Sequence, residues 1–479
     1  MYRHLAANTM CLALAGPVTA QLASAPSANH PARAPNVVII FPDQLRWTEL
    51  GCYGHPVVKS PNIDGLAAGA VRLTQAFSNF PVCSPARSVL LSGRYARCNG
   101  VFSNQDNEAE PGRPTNRSTT LAEALAAAGY STALVGKWHL RPTPAALGFS
   151  QSLRCRMRHR YFKQTFYKNE GEPYVYEGYS PEHETQAAVQ FVREHRDRPF
   201  FLYLAYGPPH MPLSEMPERY RTMYDPAKVV LRDNVWKDGV LAFNEDWFKT
   251  YLSDFQYYQH KDTFTQALPA GMTLRELTAL YYGQITAIDD CVAQVLTAIH
   301  QAGLDDDTII VFTSDHGDML GSHQAFNKGV HYDEATHIPM IIRYPRVLQP
   351  RVIDQQVASL VDIMPTVLEL CGLPVPASVQ GTSLVPVLTG RQPQTGSNAA
   401  FIETGACDGI RTRQYLYYLG PKQAEREHLF DTQADPYQMN DLAADPSQQT
   451  VLASLRARVH AWQKQTPAER AQPTTTTAR

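Results

Sequence analysis

Cys83-Ser84-Pro85-Ala86-Arg87, followed by Ser88-Val89-Leu90-Leu91-Ser92-Gly93, sets a cysteine and an arginine at the mouth of a predicted helix. Other residues able to do chemistry are scattered along the chain. Asp43 and Gln44, Lys137 and His139, His210, and Asp315 and His316 each come just after an apolar run, and Lys328 lies a little farther on. Asp43, Gln44, Asp315 and His316 together offer mostly oxygen ligands and one imidazole. That set suits Ca²⁺ first, with Mg²⁺ or Mn²⁺ also fitting. Two acidic groups brought to one point repel each other unless a cation neutralises them. Each residue also has an ordinary role: Asp as a helix cap, Gly-Lys as a turn, Cys as a small buried hydrophobe. Their joint occurrence argues for a shared site.

The runs before these residues read as strands. Val37–Phe41, Thr132–Val135, Phe200–Ala205 and Thr308–Phe312 are short, continuous and rich in β-branched or aromatic residues. Such runs suit strands buried on both faces of a parallel sheet. Helices alternate with them: Thr120-Leu121-Ala122-Glu123 is a capping-box start for an Ala-rich helix ended by Gly129. Leu274 to about Gln301 is a long amphipathic helix ended by Gly303. Alternation of this kind predicts an α/β sandwich whose functional groups gather at the carboxyl ends of the strands, which lets residues far apart in sequence converge.

With 479 residues, the chain exceeds what one growing core accommodates, so a large domain with a smaller one is expected. A formal charge of −2 and a pI near 6.8 give no global field for a polyanion, which disfavours nucleic acid. Residues 1–34 read as a secretory signal peptide with an Ala/Ser/Pro spacer, so the expected location is periplasmic or secreted. No later stretch reaches the apolar length of a membrane span. Eight cysteines are scattered without a CxxC pair, excluding zinc-ribbon and thioredoxin readings; one or two disulfides would suit an exported chain.

The Cys-x-Pro-x-Arg segment resembles the maturation motif of type I, formylglycine-dependent sulfatases, in the alkaline phosphatase-like superfamily. The resemblance extends along the chain. Pro35–Gln44 is similar to the family's first metal-binding segment, and Gly129–His139 to its second signature. Thr313–Gly321 with Asn327-Lys328-Gly329 is similar to the distal metal and sulfate segment, and Glu427–Leu442 to the C-terminal strand and turn. This implies an α/β/α sandwich over residues 35–385 and a smaller C-terminal α+β subdomain over 386–479. Two departures stand out: Gln44 where many members carry a second aspartate, and Ser92 where threonine is usual. Asp-Gln also occurs in relatives that hydrolyse phosphonate monoesters and phosphodiesters.

The resemblance implies that a maturation enzyme oxidises Cys83 to formylglycine, whose hydrate attacks a sulfate ester and forms a covalent sulfo-enzyme intermediate. Asp43, Gln44, Asp315, His316 and the residue at position 83 would hold the cation. Lys137 and Lys328 would hold sulfate oxygens, Arg87 would fix the diol, His210 or Lys328 would protonate the leaving alcohol, and His139 would be the base that ejects sulfate. A saccharide sulfate ester is the expected substrate. A phosphonate monoester or phosphodiester hydrolase on the same scaffold, and a catalytically silent metal-stabilised binding protein, are the competing readings.

Outside these motifs, Arg154, Arg156, Arg158, Arg160 and Lys163 form a basic cluster that fits either a second anion on the substrate or a solvated loop. The aromatics between Trp236 and Tyr258 fit a lid or a stacking surface, and His331, close after Lys328, is a candidate substrate-facing residue. Beyond Pro386, Phe401–Thr404, Tyr415–Leu419 and His428–Phe430 read as antiparallel strands, followed by a helix from about Ser447 to Gln463.

Overall fold

In the computed structural model, residues 33–105, 118–157, 160–237, 240–241, 272–405, 407–420 and 426–468 are described. Each of the four apolar runs is a strand: Asn36–Ile40, Ser131–Gly136, Phe200–Ala205 and Thr308–Thr313. Successive side chains on them enter opposite cores, as the two-residue period requires. Val38, Ile40, Leu202, Leu204, Ile310 and Phe312 join one core, which includes the long helix Leu274–Gln301. Val37, Ile39, Phe201, Tyr203, Ile309 and Val311 join the other, which includes Cys83–Ser92 and Leu121–Ala127. Helices thus cover both faces of one sheet.

That sheet has ten strands in the order Arg351–Ile353, Val71–Leu73, Met340–Arg343, Thr308–Thr313, Asn36–Ile40, Phe200–Ala205, Ser131–Gly136, Gln151–Cys155, Gln164–Lys168 and Tyr174–Tyr176. The stretch from Thr308–Thr313 to Gln151–Cys155 is parallel throughout, so its carboxyl ends line up along one edge. The flanking strands are mixed in direction. Sequence reading does not pick them out, because they are short and several alternate buried with exposed residues instead of forming apolar runs.

Helix ends follow their local chemistry. Thr120 and Thr273 each accept from the amide three residues on, while Glu123 and Glu276 return bonds to the cap amides. Among the described residues, no helix is long and apolar enough to cross a membrane. Among the described residues, Cys52, Cys83, Cys98, Cys155, Cys291, Cys371 and Cys407 form no disulfide with one another, so the expected disulfides are not found there. The signal-peptide reading falls almost wholly on residues outside those described.

Ala400–Glu403, Asp408–Arg411, Tyr415–Leu419 and Glu427–Asp431 form an antiparallel sheet of their own. The helix Gln449–Gln465 presents Leu452, Leu455, Val459 and Trp462 to the same core as that sheet. Trp462 stacks flat on Phe401 at 5.0 Å and meets Tyr95 edge-on at 5.1 Å, with the Arg97 guanidinium 4.5 Å from its ring. His331 is turned into this region: it stacks on Tyr418 at 4.6 Å and is buried, so packing accounts for it better than substrate contact.

Trp462 is expected to anchor the C-terminal helix. Truncating a buried aromatic costs roughly 3–5 kcal/mol, so Trp462→Ala should lower the urea midpoint followed by circular dichroism. An unchanged midpoint would show that the ring contacts do not stabilise the helix.

Candidate active site

The parallel strands end in backbone arrangements that few residues accept. Gly136 has φ +101, and a Cβ there would lie 2.1 Å from the Ala205 carbonyl oxygen; Lys137 follows directly. Gln44 itself has φ +67. The Ser314 hydroxyl clamps the first and last of these strand ends, accepting from the Leu45 amide at 3.0 Å and donating to the Pro42 carbonyl at 2.9 Å. A Cβ on Gly317 would lie 2.1 Å from the Glu334 carbonyl, so the turn after His316 also needs glycine.

Cys83 is the first residue of the helix Cys83–Ser92 and is fully buried. Its Sγ lies 3.7 Å from Asp43 Oδ1, 3.4 Å from His316 Nε2 and 3.7 Å from Lys137 Nζ. Ligand atoms of Asp43, Cys83, Asp315 and His316 all lie within 4.8 Å of one another. One turn into the same helix, Arg87 Nη2 donates to Asp43 Oδ2 at 2.7 Å and to Asp315 Oδ2 at 3.0 Å, while its Nη1 donates to the Lys137 carbonyl at 3.1 Å. Arg87 thus reaches both carboxylates that flank position 83. Lys137 Nζ completes the cluster 2.7 Å from Asp43 Oδ2.

Burial by itself would raise the Asp43 carboxyl, but Lys137, His210, Arg87 and Lys328 hold it well below its usual range. Asp315 is pushed up to about 6 by burial and the Asp43 charge, which outweigh His316 and Arg87. Burial and Asp43 raise the Cys83 thiol, yet Lys137, Lys328 and His316 bring it well below a free thiol. The site thus favours negative charge at position 83. Two carboxylates and an imbalance between them are what a divalent cation would resolve, and the oxygen and imidazole donors fit one.

Gln44 sits beside this cluster. Its Oε1 accepts from Lys328 Nζ, and its Nε2 donates to Asp318 and, at 3.4 Å, to Asn327. Asp318 Oδ1 also accepts from the amides of Leu320 at 2.8 Å and Asn327 at 3.1 Å, and so shapes the loop that carries Lys328. Sequence reading does not single out Asp318 or the buried Arg46, which donates to the carbonyls of Asp318 and Met319. The available signal was a carboxylate two residues past His316.

His139 is buried with φ +56, and the Ser84 hydroxyl donates to its carbonyl at 2.5 Å, tying the start of the Cys83 helix to the end of another strand. His210 is lowered to about 4 by burial and by Lys328 and Lys137. Its Nδ1 donates to the Met211 carbonyl at 2.7 Å, which leaves Nε2 of the neutral ring as an acceptor. Of the basic cluster, Arg154 lies 4.1 Å from the Tyr167 ring, Arg156 is half-buried, Arg160 is buried and Lys163 is exposed. Arg158, and the side chains of the aromatics from Trp236 to Tyr258, lie outside the described residues.

Residues 35–373 match the family model "Sulfatase". The chain belongs to the sulfatase family. Residues 321–465 also match the model "N-sulphoglucosamine sulphohydrolase, C-terminal". An ulvan-active sulfatase of Formosa agariphila is 30% identical over 452 residues, covering 89% of this chain and 80% of that protein. A structure solved with its substrate, D-glucosamine-2-N,6-O-disulfate, shares the fold with TM-score 0.76 and 24% identity, over 91% of this chain and 98% of that one. A phosphonate monoester hydrolase from Silicibacter pomeroyi shares it too, with TM-score 0.71 and 24% identity, over 91% and 96%. The α/β sandwich with an antiparallel C-terminal sheet is thus a sulfatase fold, and the protein is a sulfuric ester hydrolase.

In the metal-free protein Asp315 keeps its proton below about pH 6, so cation uptake must displace that proton. Affinity for the cation, read by titration, is expected to fall as pH drops through 6. Asp315→Asn should lower the bound metal measured by mass spectrometry; unchanged content would remove Asp315 from the ligand set.

Proposed function

We propose that this sulfatase hydrolyses sulfate esters of a sulfated glycan, using a formylglycine made from Cys83 and one divalent cation, Ca²⁺ in first place. The observation that carries the reading is Cys83 itself, buried at a helix start within contact of Asp43, His316 and Lys137. Asp43, Asp315 and His316 would hold the cation, with Gln44 joining them if its amide oxygen turns from Lys328. The glycan is supported by the ulvan-active relative and by the C-terminal match to a sulfohydrolase of N-sulphoglucosamine.

Once oxidised to the aldehyde and hydrated by one water, position 83 would supply two geminal hydroxyls, one to attack sulfur as the S–O bond to the alcohol breaks, and one whose deprotonation breaks the C–O bond to sulfate and restores the aldehyde. A bound cation supplies Lewis-acid charge that acidifies the attacking group. The chain's own residues do the rest. Lys137 Nζ, lying between Asp43 and position 83, offsets charge that grows on the ester oxygens. Arg87 keeps both carboxylates aimed at the cation position. Because neutral His210 presents an acceptor, Lys328 is assigned as the proton donor to the leaving alcohol, and His210 as a hydrogen-bond partner that orients position 83. His139 remains the assigned base for sulfate release.

The phosphonate or phosphodiester alternative draws on Gln44 and on the fold shared with the phosphonate hydrolase. It is the weaker reading, because the family model and the curated relative are sulfatases. Export and maturation by a formylglycine-generating enzyme belong to the same proposal.

Mature protein, checked by peptide mass for conversion of Cys83, should be assayed on an aryl sulfate, an aryl phosphate diester and an aryl phosphonate monoester sharing one leaving group. Preference for sulfate is expected; preference for either phosphorus ester would overturn the substrate class. Cys83→Ala should retain the fold by circular dichroism and lose turnover by at least about a thousandfold, as loss of a catalytic nucleophile does. Retained turnover would remove position 83 from the chemistry.

A further inference from the structure

Lys137 and Arg156 stand past the carboxyl ends of neighbouring parallel strands, where Gly136 pairs with Arg154. Between them lies a recess of about 20 Å³ whose polar lining includes Lys137, Arg156, Arg160, Gln164, Ser180 and Glu184. A volume of this order holds one water-sized group, hence one oxygen atom of a larger ligand. Three of its ten lining residues are cationic types. Arg156 is half-buried and has no carboxylate partner among the described residues.

Glu184 adds an independent observation. It is 2% exposed, packs against Gly136 just before Lys137, and its Oε2 has no hydrogen-bond partner. Burial raises its carboxyl well above the usual range, which favours the protonated form, an O–H donor, over the charge. Ser180 begins the helix Ser180–Glu194, whose positive N-terminal end lies at the same recess. Cationic side chains, a helix N-terminus and a neutral buried acid favour an oxyanion and disfavour a cation. Lys137 also reaches Cys83, so the recess lies within one lysine side chain of the reacting centre.

We propose that Arg156 and this recess form a subsite for a second oxyanion, a carboxylate or a further sulfate, carried by the glycan whose sulfate ester is cleaved. The proposal rests on the glycan-sulfatase reading above. One oxygen of the anion enters beside Glu184, and its remaining oxygens meet Arg156 at the mouth. The subsite would sort substrates by their second charge, leaving the chemistry at position 83 unchanged.

The test compares wild type, Arg156→Gln and Arg156→Lys on three substrates: an aryl sulfate, a monosulfated oligosaccharide carrying a uronic acid, and a disulfated oligosaccharide without one. Arg156→Gln is expected to lower kcat/KM about tenfold to a hundredfold on at least one dianionic substrate, chiefly through KM, as losing a charge-assisted hydrogen bond does. The aryl sulfate should be unaffected and Arg156→Lys should recover part of the loss. Which saccharide suffers distinguishes carboxylate from sulfate. Equal loss on all three substrates, or loss on none, would overturn the subsite. If wild type cleaves none of them, the glycan-sulfatase reading fails by itself. The recess is then tested by titrating a sulfate-free oligouronate into wild type and Arg156→Gln: weaker binding to the variant supports it and equal binding overturns it.

Discussion

Arg87 bridges two buried carboxylates, Asp43 and Asp315, that come from strands far apart in sequence. Taking an ion out of water costs several kcal/mol, and stranding one by removing its partner costs about 3–5 kcal/mol. Without Arg87, two acids would be stranded together. Arginine suits the position because its planar fork reaches both carboxylates and the Lys137 carbonyl at once, which a lysine point charge does not. Because Arg87 lies one turn beyond Cys83 on one helix, the same contact fixes where position 83 sits relative to the acids. The close backbone approaches at Gly136 and Gly317 serve that registration, carrying Lys137 and the turn after His316 into place.

Charge in the cluster is arranged around an incoming ligand. Asp43 is held well below the usual carboxylate range while Asp315 is pushed up to about 6, so of the two acids Asp315 is the one that takes up a proton first as pH falls. Lys137 and Lys328 approach from two sides, one held by Asp43 and the other by the amide of Gln44. That second link shows what Gln44 changes relative to an aspartate: it receives Lys328 through a neutral oxygen and uses its amide nitrogen to engage Asp318. The departure from the usual acidic pair is thus built into a network that also shapes the loop carrying Lys328.

The central strands were legible because burial on both faces leaves an unbroken apolar run, and the polar residues after Ile40, Gly136, Ala205 and Thr313 mark where those runs reach the site edge. The flanking strands were not, since Tyr174–Tyr176 and Arg351–Ile353 are short and partly exposed. Asp43, Cys83, Asp315 and His316 could be named from type and position. Their partners could not: Arg87 meets acids 44 and 228 positions away, a pairing that no local period encodes. His331 shows the converse error. Nearness in sequence to Lys328 suggested the cleft, whereas its ring fills a slot against Tyr418 and Gly409.

The most direct test of the account is a crystal structure of the mature, metal-loaded protein with anomalous data for the cation. A single peak in direct contact with Asp43, Asp315 and His316, beside a formylglycine at position 83 and with Arg87 still bridging the two acids, is the result expected. A cation bound elsewhere, or an intact thiol at position 83 in protein that turns over substrate, would contradict it.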